Sequence, residues 1–269
     1  FSTIPKRNDT ILYDEYIHAS IRDGISLSNA KSYSFKHNCI NDLKCKIKKS
    51  KGEIFIAVES IYSMDGDQSP LLELDKFCKR NGYHLIVDEA HSTGMYPNYN
   101  YSFCKKYNII PFAILHTFSK TMGCHGAIWI TSKSVKKYLI NFCRTFIYTT
   151  ALPPYSIAMM LASIYILKKD FRLSHILIEK INLFKKLSKE LNINSIIPSN
   201  SPIQSIVIPG NENVIFIMDN LKIQGFDVKA IRMPTVPEGK ERIRVSLHIY
   251  NTDHEIKELL KSLKLILND

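Results

Sequence analysis

Two apolar segments that each lead to a charged side chain constrain this chain more than any other feature. The first, Tyr83–Asp88, has the sequence YHLIVD, and the second, Pro111–Phe118, has the sequence PFAILHTF and leads to Lys120. Continuous apolar runs of this length are typical of strands buried in a parallel sheet. Because ligands of open α/β sheets bind at the carboxyl ends of the strands, we predict that Asp88 and Lys120 meet at one sheet edge.

An acid and an amine at the same sheet edge are groups that pyridoxal phosphate needs. This cofactor requires a lysine as its covalent anchor and an acid that keeps its pyridine nitrogen protonated. Lys120 and Asp88 fit these roles by position, and Thr117 and Ser119 offer hydroxyl groups beside the lysine. Alone, Lys120 would be a surface lysine and Asp88 a helix cap. Their combination indicates a cofactor site.

The rest of the chain predicts an α/β fold with two domains. Strand segments alternate with helical patterns before residue 143, which indicates a mostly parallel sheet covered by helices. Two prolines end the segment Arg144–Pro154, which is predicted to be a hinge because proline cannot continue a helix. We therefore predict a large cofactor-binding domain over residues 1–152 and a small α+β domain over residues 153–269.

Individual elements are predicted from apolar spacing and from capping residues. Asn38 or Asn41 could cap the helix Asp42–Lys49, and Gly82 is expected to end the helix that starts near Pro70. The further strand segments are Thr10–Tyr13, Lys31–Phe35, Glu53–Val58, Ala127–Ile130, Ile203–Ile208, Gly225–Ala230 and Arg242–Leu247. The further helical segments are Ser132–Phe142, Tyr155–Lys168, Phe171–Leu191, Glu212–Gln224 and Thr252–Leu267, and Tyr96–Tyr107 is an aromatic-rich connector.

Composition argues against several classes of protein. The six cysteines show no CxxC pair and no zinc-ligand spacing, so we expect reduced thiols, no metal site and a cytoplasmic protein. No apolar run is long enough for a membrane span, and no basic-then-apolar leader opens the sequence. The net charge of +11 comes mostly from lysines spread along helices, which indicates a solvated face and not a nucleic-acid site.

Three longer motifs resemble a known family. They are VDEAHSTG at residues 87–94, TFSKTMGCHGA at residues 117–127 and IRMPTVPEGKERIRVSL at residues 231–247. Together they are similar to the α-oxoamine synthases, pyridoxal phosphate enzymes of the fold-type I aminotransferase superfamily. The resemblance covers nearly the whole chain. It implies a homodimer and a large domain that is partial here, because the family carries a further N-terminal region.

The resemblance implies roles for the residues around the cofactor. Lys120 would form the Schiff base and then remove the α-proton of the amino acid. Asp88 would pair with the ring nitrogen, His91 would lie near the phenolic oxygen, and His18 would stack on the ring. The expected catalytic residues are Lys120, His18 and Asp88. The remaining expected cofactor contacts are Ser63, Thr117 and Glu59.

The resemblance also implies a substrate site and a reaction. Arg244 would hold the amino acid carboxylate through a bidentate pair, with Thr235 and His18 as further substrate contacts. The implied reaction condenses L-alanine with a pimeloyl thioester of CoA or acyl-carrier protein, with loss of CO2, in biotin biosynthesis. Two alternatives stay open: a sister enzyme that joins glycine to acetyl-CoA, and an inactive truncated paralogue.

Other polar residues are expected to be structural. His116 is predicted to lie in the core, and Cys124 is predicted to serve packing more than chemistry. Arg232 and Arg242 are predicted to be salt-bridged surface groups, Asp65 and Asp67 are predicted to be loop caps, and the role of His125 stays open.

Overall fold

The structure, a computed structural model, describes residues 1–95 and 102–268. These residues form two compact units. The first comprises Phe1–Tyr62 and Gln68–Lys169, and the second comprises Ser63–Asp67 and the described residues from Asp170 onward. The two units divide after Lys169, and the predicted domain boundary at residues 152 and 153 stays a prediction. Part of the predicted aromatic connector, residues 96–101, lies outside the described residues.

A six-stranded sheet forms the centre of the first unit. Its strands are β1 (Thr10–Asp14), β2 (Lys31–Phe35), β3 (Ile54–Glu59), β4 (His84–Asp88), β5 (Ala113–Thr117) and β6 (Ala127–Thr131). The strand order is β2-β1-β3-β4-β5-β6. All neighbouring strands are parallel except β5 and β6, which are antiparallel. The predicted α/β fold with a mostly parallel sheet is confirmed.

Helices of the first unit follow the predicted pattern, except that two helices of four residues each were not predicted. They are α1 (Ala19–Ser26), α2 (Ile40–Ile47), α3 (Leu71–Asn81), α4 (Phe103–Lys106), α5 (Lys133–Phe142), α6 (Arg144–Ile147) and α7 (Pro154–Lys169). Gly82 ends α3 with φ +69°, and the side chain of Ser132 caps α5. The predicted hinge is partly wrong, because α6 occupies its start.

The predicted caps of α2 are wrong. The helix begins after Cys39, which makes no side-chain cap bond. Asn38 instead has a φ of +52°, and its side-chain nitrogen donates to the carbonyl oxygen of Gln68 at 3.2 Å. Asp42 accepts a hydrogen bond from the backbone nitrogen of Lys36 at 2.8 Å and so fixes the entry into the helix.

The two faces of the sheet pack against different helices, because successive strand residues point to opposite faces. On one face, Val58 of β3 packs in a cluster with Leu43 of α2 and Leu71 of α3. On the other face, Ile86 of β4 packs in a cluster with Ile21 of α1. Burying an aliphatic side chain of this size stabilises a fold by roughly 1.5–3 kcal/mol. We call the second face the α1 face.

The second unit contains a three-stranded antiparallel sheet and three helices among its described residues. The strands are β7 (Ile203–Val207), β8 (Lys229–Ile231) and β9 (Arg242–Ser246), in the order β7-β9-β8. The helices are α8 (Arg172–Glu190), α9 (Asn211–Ile223) and α10 (Asp253–Asn268). β8 begins later than predicted, because Gly225 has φ +90° and belongs to the turn after α9.

The segment Ser63–Asp67 is tied to the strands of the second unit. Ser205 Oγ donates to the carbonyl oxygen of Met64 at 2.6 Å. The carboxylate of Asp65 forms an ion pair with Arg242. The prediction that Arg242 is a surface group is therefore wrong: its side chain is only 3% exposed, because Asp65 compensates its charge within the unit. The carboxylate of Asp65 therefore serves as the ion-pair partner of Arg242, a role that the predicted loop cap did not include.

No helix within residues 1–95 and 102–268 combines the length and apolar character that a bilayer span requires.

Candidate active site

Three strands of the first unit place polar side chains at the carboxyl edge of the α1 face. Glu59 ends β3 and pairs in register with Asp88, which ends β4, so both side chains point to the same face. Asp88 pairs in register with Leu115 of β5, and Thr117, two residues further on, lies on that face as well. The predicted sheet-edge position of Asp88 agrees with the structure.

His18 lies beside these residues because α1 packs on the same face. It is the N-cap residue of α1, and its Nδ1 accepts from the backbone N–H of Ser20 at 3.2 Å. Its own backbone N–H donates to the carboxylate of Glu59. Its ring is also close enough to Asp88 for its charge to lower the pKa of that carboxyl. His18 therefore joins Glu59 and Asp88 in one polar cluster.

The two carboxyl groups of this cluster bind protons more tightly than usual. Burial, and then the charge of Asp88, raise the pKa of Glu59 from 4.5 to about 8. Burial also raises the pKa of Asp88. The hydrogen bond from the backbone N–H of Ala90 and the charges of Lys120 and His18 lower it by less than burial raises it. Two buried acids side by side favour the arrival of a cation, because it would offset their repulsion and restore the charge of one of them.

Lys120 follows β5 in a loop closed by backbone hydrogen bonds. The backbone N–H of Cys124 donates to Phe118 at 2.7 Å, and that of Gly123 donates to the carbonyl oxygen of Lys120 at 3.1 Å. The Lys120 side chain is exposed, yet its charge lowers the pKa of both Asp88 and Glu59. The structure therefore brings the predicted lysine and aspartate together.

The loop Glu89–Gly94 carries His91, which is half-buried. Two hydrogen bonds fix the loop after His91: Ser92 Oγ lies 2.8 Å from Ser60 Oγ, and Thr93 Oγ1 lies 2.8 Å from His116 Nδ1. Gly94 has φ +86°, and a Cβ there would lie 2.7 Å from the Thr121 methyl group. The glycine thus permits the close approach of this loop to the loop of Lys120.

Glu89 is a buried residue whose role the sequence did not reveal. Its carboxylate accepts from Ser102 Oγ at 2.9 Å and from the backbone N–H groups of Phe103 and Cys104, both at 2.7 Å. It therefore fixes the start of α4. The sequence feature that could have revealed this role is the position of Glu89 directly after Asp88. Neighbouring residues at a strand end point to opposite sides, so Glu89 points away from the α1 face.

Asp14 was also missed, although it ends strand β1 as Asp88 ends β4. It is fully buried and accepts from the backbone N–H of Asn38 at 2.8 Å. Its second partner is His37 Nδ1 at 2.9 Å, and the His37 ring stacks on Tyr16 with centroids 4.3 Å apart. Asp14 lies on the face opposite the α1 face, so its role is to hold the connection after β2.

Three predicted site residues belong to the second unit. Ser63 is buried in the segment Ser63–Asp67. Arg244 is half-buried on β9, its burial lowers the pKa of its guanidinium, and its Nε has no hydrogen-bond partner among the described residues. Thr235 is exposed. Their roles stay predictions.

Two other expectations concern buried residues. His116 is buried, as predicted. Cys124 is buried in a cluster with Phe118 and Met160, which agrees with a packing role.

Within the part of the chain that the structure describes, no group of three or more His, Cys, Asp or Glu residues could hold a metal ion.

The cluster fits pyridoxal phosphate by its donor set. Asp88 offers an acid whose charged form a ring cation would stabilise, and Lys120 supplies an amine beside it. Thr117 Oγ1 is buried without a hydrogen-bond partner in the described ranges, so a ligand could accept its proton. An unsatisfied buried hydroxyl costs about 1–3 kcal/mol, which a bound acceptor would recover.

Comparison with known proteins identifies the family. Residues 2–263 match the model of the aminotransferase class I and II family. The 8-amino-7-oxononanoate synthase of Emericella nidulans is 36% identical, over 98% of this chain and 69% of its own length. That of Buchnera aphidicola subsp. Baizongia pistaciae is 34% identical, over 97% of this chain and 68% of its own length.

Solved structures agree with these sequence matches. The 8-amino-7-oxononanoate synthase of Francisella tularensis is 31% identical, with a TM-score of 0.86, over 99% of this chain and 78% of that chain. The serine palmitoyltransferase of Sphingomonas wittichii has a TM-score of 0.92 at 24% identity, over 99% of this chain and 68% of that chain, and shows the same fold.

The chain belongs to the aminotransferase class I and II family. This is a family of pyridoxal-phosphate-dependent enzymes, which confirms the predicted cofactor and the prediction of an enzyme. Within the family the chain is similar to the 8-amino-7-oxononanoate synthases, in agreement with the resemblance found from the motifs.

Proposed function

We propose that this protein condenses L-alanine with a pimeloyl thioester, with loss of CO2, to give 8-amino-7-oxononanoate in biotin biosynthesis. The observation that supports the reaction class most directly is the cluster of Glu59, Asp88 and Lys120 at one sheet edge. The similarity to relatives named 8-amino-7-oxononanoate synthase supports the choice of substrates.

The residues of the α1 face would hold the cofactor. Bound pyridoxal phosphate supplies an electron sink for the carbanion formed at the amino acid α-carbon. Asp88 would keep a proton on the ring nitrogen, and His91 would donate to the phenolic oxygen. Thr117 would donate its hydroxyl proton, and His18 would pack against the ring.

Lys120 would act twice. Its Nζ would hold the cofactor, and it would also take the α-proton of alanine as a general base. Glu59 and Asp88 lie near enough for the charge of Lys120 to lower the pKa of both carboxyl groups. A carboxylate at Asp88 would therefore stabilise the protonated amine after the proton transfer.

Residues of the second unit would bind the substrate. Arg244 offers a guanidinium whose Nε has no partner among the described residues, which suits a bidentate pair with the carboxylate of alanine. Thr235 and His18 would contact the substrate as well. The thioester donor is CoA or an acyl-carrier protein, and the net charge of +11 would favour an acidic carrier.

We also propose that the protein acts as a homodimer in the cytoplasm. Exposed apolar side chains on α5, α6 and α7 of the first unit support the dimer, because large exposed patches of this kind mark protein interfaces. The exposed side chains on these helices include Tyr138, Phe142, Phe146, Tyr155, Ile157, Leu161 and Tyr165, and the exposed Tyr148 follows α6 directly.

The proposed function is tested by substrate choice. The purified protein with pyridoxal phosphate should release more CO2 and thiol from L-alanine plus pimeloyl-CoA than from glycine plus acetyl-CoA, and Lys120→Ala should abolish turnover and the visible absorbance of the anchored cofactor. Preference for glycine plus acetyl-CoA would support the sister enzyme instead. Lack of both turnover and absorbance in the unaltered protein would support the inactive paralogue.

A further inference from the structure

One side-chain hydrogen bond joins strand β5 to the loop Glu89–Gly94. Thr93 Oγ1 lies 2.6 Å from the carbonyl oxygen of Glu89 and 2.8 Å from His116 Nδ1. A carbonyl oxygen can only accept, so the single hydroxyl proton of Thr93 is donated to Glu89. Thr93 Oγ1 must therefore accept a proton from His116, which fixes the tautomer with hydrogen on Nδ1.

The loop is anchored on its other side by a second hydroxyl. Ser92 Oγ lies 2.8 Å from Ser60 Oγ, and Ser60 Oγ donates to the carbonyl oxygen of Asp88 at 3.2 Å. Ser92 and Thr93 are both buried and follow His91 directly. The backbone that carries His91 thus depends on two neighbouring anchors.

His116 lies where it can couple the loop to the strand of the cofactor site. It directly precedes Thr117 in β5, and its side chain points to the face opposite the α1 face. It is buried, and the acids whose charges act on it are Glu89, in the loop, and Asp88, across the sheet. Burial lowers the pKa of His116, so a neutral ring with a proton on Nδ1 is the form present near neutral pH.

We propose that His116 is a positioning residue, whose Nδ1–H bond to Thr93 sets the loop Glu89–Gly94 and thereby the place of His91 beside the cofactor. This proposal rests on the proposed function, in which His91 donates to the phenolic oxygen of the cofactor. A displaced His91 would stabilise the phenolate less well. The proton affinity of the anchored cofactor would then change.

The test compares two His116 variants that place a hydrogen-bond donor at different distances along the side chain. The amide of His116→Asn can replace Nδ1–H, whereas the amide of His116→Gln reaches the position of Nε2. With pyridoxal phosphate bound, we measure the pH midpoint of the visible absorbance of the anchored cofactor. We expect His116→Gln to shift this midpoint by more than about half a pH unit, and His116→Asn to shift it by less than about 0.2 unit.

Thr93→Val should shift the midpoint in the same direction, and the double variant Thr93→Val/His116→Gln should add little to Thr93→Val alone, since both single variants remove the bond between His116 and Thr93. Thr131→Val is the matched control: Thr131 Oγ1 donates to the carbonyl oxygen of Phe112 at 2.8 Å, away from the loop. It should lower the thermal midpoint by a similar amount and leave the pH midpoint unchanged.

A rescue experiment covers variants that fold poorly. His116 lines a cavity of about 590 Å³, so added imidazole can enter the space left by His116→Ala and should restore the pH midpoint. A normal midpoint in both His116→Gln and Thr93→Val, with lowered thermal stability, would overturn the positioning role. Absence of the absorbance band in the unaltered protein would overturn the proposed function and this proposal with it.

Discussion

At the scale of single residues, the unusual feature is a buried glutamate beside a buried aspartate. Glu59 is 2% exposed, and its neighbour across the strands, Asp88, is 6% exposed. The raised pKa of Glu59 means that the folded protein binds a proton there more tightly than the unfolded chain. Stability from this proton is complete below pH 4.5 and is lost as the pH rises towards about 8.

Glu59→Gln should therefore flatten the pH dependence of stability. In the cofactor-free protein, the free energy of unfolding of the unaltered chain should fall between pH 5 and 8 by up to a few kcal/mol, at about 1.4 kcal/mol per unit of pKa shift. The variant should lose the part of this slope that Glu59 contributes, as measured by urea unfolding at each pH. Glu73→Gln, at an exposed glutamate of α3, is the control. Parallel slopes for Glu59→Gln and the unaltered protein would contradict the prediction.

The ion pair of Asp65 and Arg242 should matter more to stability than an exposed pair. Asp65→Ala removes the carboxylate that compensates the buried guanidinium of Arg242, which costs about 3–5 kcal/mol. Asp227→Ala breaks the exposed pair with Lys229 in the same unit and should cost less than about 1 kcal/mol. Urea unfolding of both variants measures the difference. Equal midpoints would show that the buried pair contributes no more than the exposed one.

At the scale of elements, α10 depends on a capping box at its start. Thr252 Oγ1 accepts from the backbone N–H of Glu255 at 3.1 Å, and the Glu255 carboxylate accepts from the backbone N–H of Thr252 at 2.7 Å. The helix buries Ile256, Leu260 and Leu263 in the core of the second unit. Loss of the cap therefore weakens the helix that covers this core.

Thr252→Ala should lower the free energy of unfolding by about 0.5–2 kcal/mol, because the first turn of α10 loses a side-chain acceptor. Thr252→Ser keeps the hydroxyl and should stay close to the unaltered protein. Thermal and urea unfolding followed by circular dichroism give both values. A loss of the same size in Thr252→Ser would point to the methyl group and not to the cap.

At the scale of the whole molecule, the exposed apolar side chains of α5–α7 set the expected assembly. Leu161→Lys should weaken the homodimer, because it introduces a charge into an interface that excludes water. Leu161 is 63% exposed, and Leu265 on α10 of the second unit, at 67%, provides the control Leu265→Lys. Light scattering during gel filtration should show monomer for the first variant only. An equal response of both variants would contradict an interface on α5–α7.

The sequence by itself determined the elements and the kind of site. Apolar periodicity and glycine or proline positions act within a few residues, so the strands, α3 with its end at Gly82 and α10 with its cap could be predicted. The strand ends Asp88 and Thr117 and the neighbouring Lys120 could be placed at one edge for the same reason. Long motifs then indicated the family and the cofactor.

The tertiary structure decided which distant side chains compensate one another. Arg242 pairs with Asp65, and Glu89 fixes the start of α4. His116 bonds to Thr93, 23 residues away. No local pattern encodes such pairs, because burial depends on how the strands and helices pack, and burial forces each polar group to find a partner. The raised pKa of Glu59 has the same origin, since it results from the neighbouring strand and from the exclusion of water.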